Sequence, residues 1–361
     1  MVETTLLDET LALLSPPDGR AAEEARAHQD RLTKPRGALG ALEDVSVRLA
    51  GIAGACPPPM PAPVSLAIFA ADHGVHAQGV SPWPQEVTTQ MVANFLAGGA
   101  VANCFAAQVG AEVMVVDVGV AGDMTGMSGL VARKIAYGTA DMTQGPAMTL
   151  AQARDAIEVG ITVAHGLIDR GSRCLITGDM GIANTTASAA LIACLTGKDP
   201  AEVTGRGTGI DDAVYTHKIE MVRRALVVNG LDGAGSRDAL HVVAAVGGLE
   251  HAALAGYLLG AASRRIPVIL DGVIAGAAAL VASAFAPVVA EYCVAGHRSA
   301  EPGHAAALDV LRLRPLVDLE LRLGEGTGGL LAYPLVSSAV RVLHDVATFD
   351  SAGVTDKDAP A

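Results

Sequence analysis

Short apolar runs alternate along the chain with longer stretches in which apolar residues recur every three or four positions. VSLAIFA (64–70), EVMVVDVGV (112–120), RCLITG (173–178) and IPVILDG (266–272) have the length and near-continuous apolarity of strands buried on both faces. Helical patterns follow at 84–107, 149–169, 184–196 and 273–285. Strand then helix, repeated, predicts an α/β protein with a parallel sheet and helices on both faces. The strand ends carry glycine or polar residues, in ADHG, DVGVAG, TGDMG, DGVIAG and AGHRS. Ligands of open parallel sheets bind outside the carboxyl ends of the strands, so a site is expected where these segments converge.

Ahead of the alternation, 17–53 reads as two helices, GRAAEEARAHQDRL and GALGALEDVSVRLAGIAG, joined by TKPRG. CPPPMPAP (56–63) is a stiff connector that no helix interior accepts, and it marks a boundary. The expected organisation is an N-terminal helical segment over 1–60, a large α/β domain over 61–348 and a disordered tail over 349–361. VIAGAAALVASAFAPVVA (273–290) is uncharged and long enough to raise the question of a membrane span. Pro287 splits it and the strand-like PVILDG leads into it, so a buried helix is expected and no membrane. MVETTLLDET is acidic and lacks the basic and apolar regions of a secretory leader.

Composition narrows the function classes. The chain is 51% hydrophobic but 3% aromatic, with 41 glycines, so the core is built from small aliphatic side chains. A net charge of −13 repels polyphosphate backbones and argues against nucleic-acid binding. The five cysteines are odd in number and form no CxxC pair. Neither a disulfide framework nor a zinc site is expected, and a reducing cytoplasm is the expected compartment.

Three segments at predicted strand ends carry anion-binding chemistry. TGDMGIANTTASAAL (177–191) passes through a glycine-containing turn to a helix start whose free N–H groups suit a phosphate; Asn184 or Thr185 merely capping that helix fits equally. TGRGTGIDDAVYTHK (204–218) sets Arg206, Thr208 and Lys218 round a second glycine-rich turn, or is a plain interhelical turn with a solvated Lys218. AGHRSAEPGHAAAL (295–308) places Ser299 ahead of a helix with Pro302 near its first turn. His73 and His76 lack HExxH spacing and an evident third ligand, and read as structural histidines rather than a metal pair. Ser81 and Gln90 suit hydrogen bonding to a heterocycle, with turn and helix-surface roles as the default. In LRLGEGTGGLLAYPL (321–335) Glu325 stands between two glycines, which leave it open to close approach of a ligand. No Gly-x-Ser-x-Gly elbow is present, and no cysteine sits where a turn would activate it.

Taken in order, KPRGALGALE, ADHGV, GVSPWPQEVTTQMVANFLAGGAVAN, GDMGIANTTASAAL, GRGTGIDD, VGGLEHAALAGYLLGAASRRIPVILDG, AGHRSAEPGH and LRLGEGTGGLLAYPL resemble the nicotinate-nucleotide:dimethylbenzimidazole phosphoribosyltransferase family. The resemblance spans roughly residues 30–348. It implies a Rossmann-like sheet, a small helical domain combining N- and C-terminal elements, and a homodimer. It also implies transfer of 5-phosphoribosyl from nicotinate mononucleotide to 5,6-dimethylbenzimidazole, giving α-ribazole 5′-phosphate for cobalamin synthesis, with no cofactor and no metal. The acidic pair with Thr-Gly-Gly that holds magnesium pyrophosphate in ordinary phosphoribosyltransferases is missing, in agreement.

By the same resemblance Glu325 is the general base, Ser81, Gln90 and Leu323 form the base pocket, and Gly181, Gly207, Lys218 and Ser299 grip the phosphate. Asp179, in a supporting role, stands where the family pattern has glutamate, and Ala183 where it has glycine. These departures keep other acceptors open: adenine, another benzimidazole or a phenolic compound. They equally suit an idle nucleotide-binding relic, against which the retained Glu325, Lys218 and Ser299 speak.

Overall fold

A computed structural model describes residues 4–207, 209–233 and 238–355. Its strands are β1 (Val64–Ala71), β2 (Glu112–Gly119), β3 (Leu130–Ala132), β4 (Cys174–Met180), β5 (Val268–Leu270) and β6 (Cys293–Ala295). They form one sheet in the order β3-β2-β1-β4-β5-β6, and every pairing is parallel. This is the expected Rossmann-like α/β architecture. The chain runs outward from β1 to β3, then returns to the other side of β1, so the crossover direction reverses between β1 and β4. The four apolar runs became β1, β2, β4 and β5. β3 and β6, three residues each, are too short to show a period.

The scarcity of aromatics has a structural counterpart in backbone-to-backbone helix packing. Helices Leu150–Asp169 and Leu249–Ser263 meet at Gly160 and Gly256. A methyl on Gly160 would lie 1.8 Å from the Ala253 carbonyl oxygen, and one on Gly256 1.9 Å from that of Ile157. Only glycine fits so close a crossing. The uncharged run at 273–290 is a core helix, Val273–Phe285, buried from Val273 to Ala282 and followed by a 3₁₀ turn at Pro287. A second apolar stretch, Val87–Val109, is long enough to cross a membrane by length and composition. In the fold it breaks near Gly98 and Gly99 into helices Val87–Leu96 and Val101–Val109.

At the N-terminus the two expected helices are Gly19–Arg31 and Ala41–Ala53. A third, Leu6–Ala12, precedes them; its signal is the capping box of Thr5 and Asp8. Val45 and Leu49 of the Ala41–Ala53 helix share an apolar cluster with Val336 and Val340 of the C-terminal Thr327–Asp345 helix. The tail expected over 349–361 begins instead as structure. Thr348 and Ser351 cap a short helix, Phe349–Ala352, and Thr348 bridges to Leu32. Residues 356–361 lie outside the described residues.

Candidate active site

The carboxyl ends of β4, β5 and β6 open into a cavity of about 100 Å³. Its wall is formed by Asp179–Ile182, Asn184, Thr185, Gly207, Gly272–Ile274, His297, Ser299, Glu301 and Arg322–Glu325. A larger groove of about 910 Å³ runs between N- and C-terminal elements but includes none of the strand ends. The converging polar groups belong to the smaller cavity, which is therefore the candidate site.

Glu325 sits in a turn of three successive left-handed residues: Gly324 at φ 80°, Glu325 at 64° and Gly326 at 85°. The flanking glycines serve that turn and its packing. A methyl on Gly326 would lie 2.4 Å from Leu66 Cδ1, and one on Gly324 3.3 Å from Asp179 Oδ2. The structure thus adds a second reason for them to the ligand access read from sequence, and Gly324 lines the cavity beside Glu325. Glu325 is buried, and its Oε2 has no hydrogen-bond partner among the described residues. Burial pushes its carboxyl up to about 7; the nearby Asp271 charge adds to the rise and a backbone N–H bond from Ala102 opposes it. A carboxyl so placed titrates where general-base catalysis needs it.

Asp179 is buried at the end of β4 and accepts a 3.0 Å bond from Asn184 Nδ2. Burial first, then the charges of Asp271, Glu250 and Glu325, raise its carboxyl well above the usual range. Asn184 and Thr185 do not cap their helix; the N-cap is Ala183, in the left-handed region at φ 72° with no side-chain cap. Thr185 Oγ1 accepts a 2.9 Å bond from Lys218 Nζ instead.

The expected phosphate grip comes together only in part. Lys218 is not solvated: it is buried on helix Asp212–Val228 and also donates to the Gly205 carbonyl at 3.1 Å. Burial lowers its ammonium to about 8, against the pull of Glu301. Its charge therefore stands behind Thr185 and Gly207 rather than on the cavity wall. The Gly207 N–H already donates to Glu301 Oε1 at 2.7 Å. Ser299 lines the cavity, donating its N–H to His304 Nδ1 at 2.9 Å. Gly181 lines it too, and a methyl there would lie 2.3 Å from the Ala71 carbonyl oxygen. Arg206 pairs with Asp212 and stacks on Tyr215, while Thr208 lies outside the described residues.

Leu323 is 48% exposed on the same wall. Ser81 and Gln90 are not brought into the cavity lining. Ser81 Oγ accepts the Trp83 N–H at 3.3 Å, and Gln90 is exposed on helix Val87–Leu96. That helix is tied to the site through Thr88, which donates to Asp72 Oδ1 at 2.6 Å and accepts the Ile182 N–H at 3.1 Å.

Both histidines of the first strand end are hydrogen-bonded, but the further donors that the sequence did not show stand beside His73, in Glu250 and His251. His76 Nε2 meets the Trp83 carbonyl at 2.8 Å, and His73 Nε2 meets Glu250 Oε1 at 2.7 Å. Glu250 also lies 2.8 Å from His251 Nδ1, and His251 Nε2 reaches Ser188 Oγ at 2.8 Å. His73, Glu250 and His251 make a metal-like donor set. In this arrangement the three groups hydrogen-bond to one another, at 2.7 Å and 2.8 Å. Burial opposes the charges, yet Glu250 raises His73, and the two histidines hold Glu250 below the usual carboxylate range. Residues the sequence did not single out are Asp271, His297, Glu301 and Glu250. Asp271, His297 and Glu301 lie inside strand-end segments, which was the available signal.

A phosphoribosyltransferase family model matches residues 14–354. The chain is 60% identical to the nicotinate-nucleotide:dimethylbenzimidazole phosphoribosyltransferase of Salinispora tropica, over 98% of its own length and 100% of the relative's. It is 55% identical to the enzyme of that name from Chloroflexus aggregans, over 98% and 99%. A crystal structure of the Thermus thermophilus enzyme of that name matches with a TM-score of 0.88 and 46% identity, covering 94% of this chain and 99% of that one.

Proposed function

The chain belongs to the nicotinate-nucleotide:dimethylbenzimidazole phosphoribosyltransferase family, and on that premise we propose that it moves 5-phosphoribosyl from nicotinate mononucleotide to 5,6-dimethylbenzimidazole. The products are nicotinate and α-ribazole 5′-phosphate, the nucleotide that carries the lower ligand of cobalamin. The observation that carries this reading is Glu325, a buried carboxyl with an unpartnered oxygen and raised proton affinity at the mouth of the sheet.

The chemistry follows from charge. A benzimidazole nitrogen attacks C1′ from the face opposite the pyridine, and the C1′–N bond to nicotinate breaks. Its electron pair returns to the pyridine nitrogen, which leaves without its positive charge and needs little acid assistance. The new benzimidazolium must lose the proton on its other nitrogen, and Glu325 accepts it. Direct displacement inverts C1′ and forms no covalent enzyme intermediate.

Ser299, Gly181 and the buried charge of Lys218 supply the phosphate end, with Gly207 contributing the shape of its turn. Leu323 covers the flat acceptor, while Ser81 and Gln90, outside the cavity lining, would reach it only if the acceptor extends past that wall toward the Val87–Leu96 helix. Asp179, held by Asn184, supports the turn of Glu325. We read the enzyme as a cytoplasmic homodimer, with a helical segment over 1–60 that joins C-terminal elements beside the 61–348 domain. The contact of the Ala41–Ala53 and Thr327–Asp345 helices supports that division.

The test is nicotinate release from nicotinate mononucleotide with 5,6-dimethylbenzimidazole and adenine as competing acceptors. Release driven best by dimethylbenzimidazole is expected. Preference for adenine would keep the chemistry and change the acceptor, and no release with any acceptor would overturn the reading.

A further inference from the structure

Asp271 follows β5 directly and is fully buried. Its two oxygens take three backbone N–H groups at the start of the Thr327–Asp345 helix. Oδ2 accepts from Gly326 at 3.0 Å; Oδ1 accepts from Gly328 at 2.7 Å and Gly329 at 3.2 Å. His297 Nε2 stands 3.5 Å from Oδ1. The N–H of Asp271 itself donates to Thr177 Oγ1 at 2.9 Å, which ties it to β4.

The first N–H groups of a helix need acceptors, and here the N-cap is Gly326, which has no side chain to offer one. A carboxylate 55 residues away in sequence supplies it. The same bonds pin the strained turn in which Glu325 adopts a left-handed conformation. Such a conformation in a non-glycine residue persists only where its surroundings over-determine it.

We infer that Asp271 is a positioning residue for Glu325: by clamping the N–H groups of Gly326, Gly328 and Gly329, it holds the turn that presents the Glu325 carboxyl to the acceptor. The inference rests on the reading of Glu325 as the base. Asp271 also acts at a distance, because its charge adds to burial in raising the Glu325 carboxyl. Against its own burial, Asp271 is held below the usual range by His297 and by the N–H groups of Gly326 and Gly328. Among the described residues, the other titratable or charged groups around the pair are Asp179 of β4, Glu250 of the Leu249–Ser263 helix, Arg298 beyond β6, Glu301 and His304 at the Pro302–Leu311 helix, and Arg322 of the turn.

The experiment compares Asp271→Asn, Asp271→Glu, Glu325→Gln and the double variant Asp271→Asn with Glu325→Gln. Misplacing a reacting group by about 1 Å costs about 100-fold, so Asp271→Asn should lower kcat by that order while the KM for nicotinate mononucleotide stays put. The acid limb of its kcat profile should move to lower pH, since a negative charge beside Glu325 is gone. Asp271→Glu should lose kcat and keep the limb. The double variant should be no slower than Glu325→Gln alone, because Asp271 acts through Glu325.

Additive losses, or an unshifted limb in Asp271→Asn, would overturn the inference. Where Asp271→Asn does not fold, wild-type kcat in Asp271→Glu would overturn it. Wild-type turnover in Glu325→Gln would instead overturn the reading of the base, a separate outcome.

Discussion

Glu301 Oε1 accepts the Gly207 N–H at 2.7 Å, so a carboxylate of the chain already holds the amide that the glycine-rich turn offers to a phosphate. The same residue pulls the Lys218 ammonium upward across the turn. Glu301 thus organises the cavity wall at Gly207 and Lys218.

Glu301→Ala leaves a buried N–H without an acceptor, a cost of about 1–3 kcal/mol. Expressed in binding, that is a rise of about tenfold or more in the KM for nicotinate mononucleotide, with a smaller change in kcat. Glu301→Gln keeps an acceptor oxygen and should stay closer to wild type. Steady-state kinetics of both variants check this; an unchanged KM in Glu301→Ala would show that the turn holds its shape unaided.

The pH dependence of turnover follows from Glu325 and Lys218. On the proposed mechanism Glu325 works as base only when ionised, so rate is expected to fall as pH drops below about 7. On the same reading Lys218 serves the phosphate end only when protonated, so rate is expected to fall again above about 8. A narrow bell between these values is expected. Glu325→Gln should bind nicotinate mononucleotide in calorimetry yet lose about 10²–10⁴-fold in turnover, and with it the acid limb.

His73 and Glu250 set a stability window. His73 is raised above 6.5, so its stabilisation is complete below that value and is lost as pH rises through the folded pKa. Glu250 is held below 4.5, so its stabilisation is present above that value and is lost as pH falls through the folded pKa. The pair therefore stabilises most between 4.5 and 6.5. Glu250→Gln should lower stability there by about 3–5 kcal/mol, because a buried charge loses its partner. Thermal melts of both proteins across pH give the difference, which should shrink toward pH 9; a pH-independent gap would mean the pair is neutral.

Ala183 occupies the left-handed region at φ 72° at the head of the Asn184–Thr196 helix. Glycine would relieve about 1–2 kcal/mol of steric cost. A freer unfolded chain and an unburied methyl offset most of that, by about 0.4–1 and 0.8 kcal/mol. Ala183→Gly is therefore expected to change the unfolding free energy, read from urea titrations, by no more than about 1 kcal/mol in either direction. A loss beyond about 2 kcal/mol would show that packing of the methyl dominates.

Much of the architecture was legible because its signal is local. The runs at 64–70, 112–120, 173–178 and 266–272 became strands of one parallel sheet, and the helical patterns after them became the helices that cover it. Glu325 was legible too, since a lone carboxylate between glycines in an apolar segment is unusual. Its glycines were read for ligand access; their left-handed backbone and contacts with Leu66 and Asp179 show that they also serve a tight, packed turn, which no local pattern displays.

Sequence by itself determined the strand ends, the small-residue core and the segment that carries Glu325, because periodicity and turn chemistry act over a few residues. Only the tertiary structure decided which groups meet. It buried Lys218 behind Thr185, gave the Gly207 amide to Glu301 and brought Asp271 to the N–H groups of Gly326, Gly328 and Gly329. Parallel crossovers carry each strand end back to the same edge of the sheet, so residues far apart in the chain become neighbours there. No local pattern encodes that meeting.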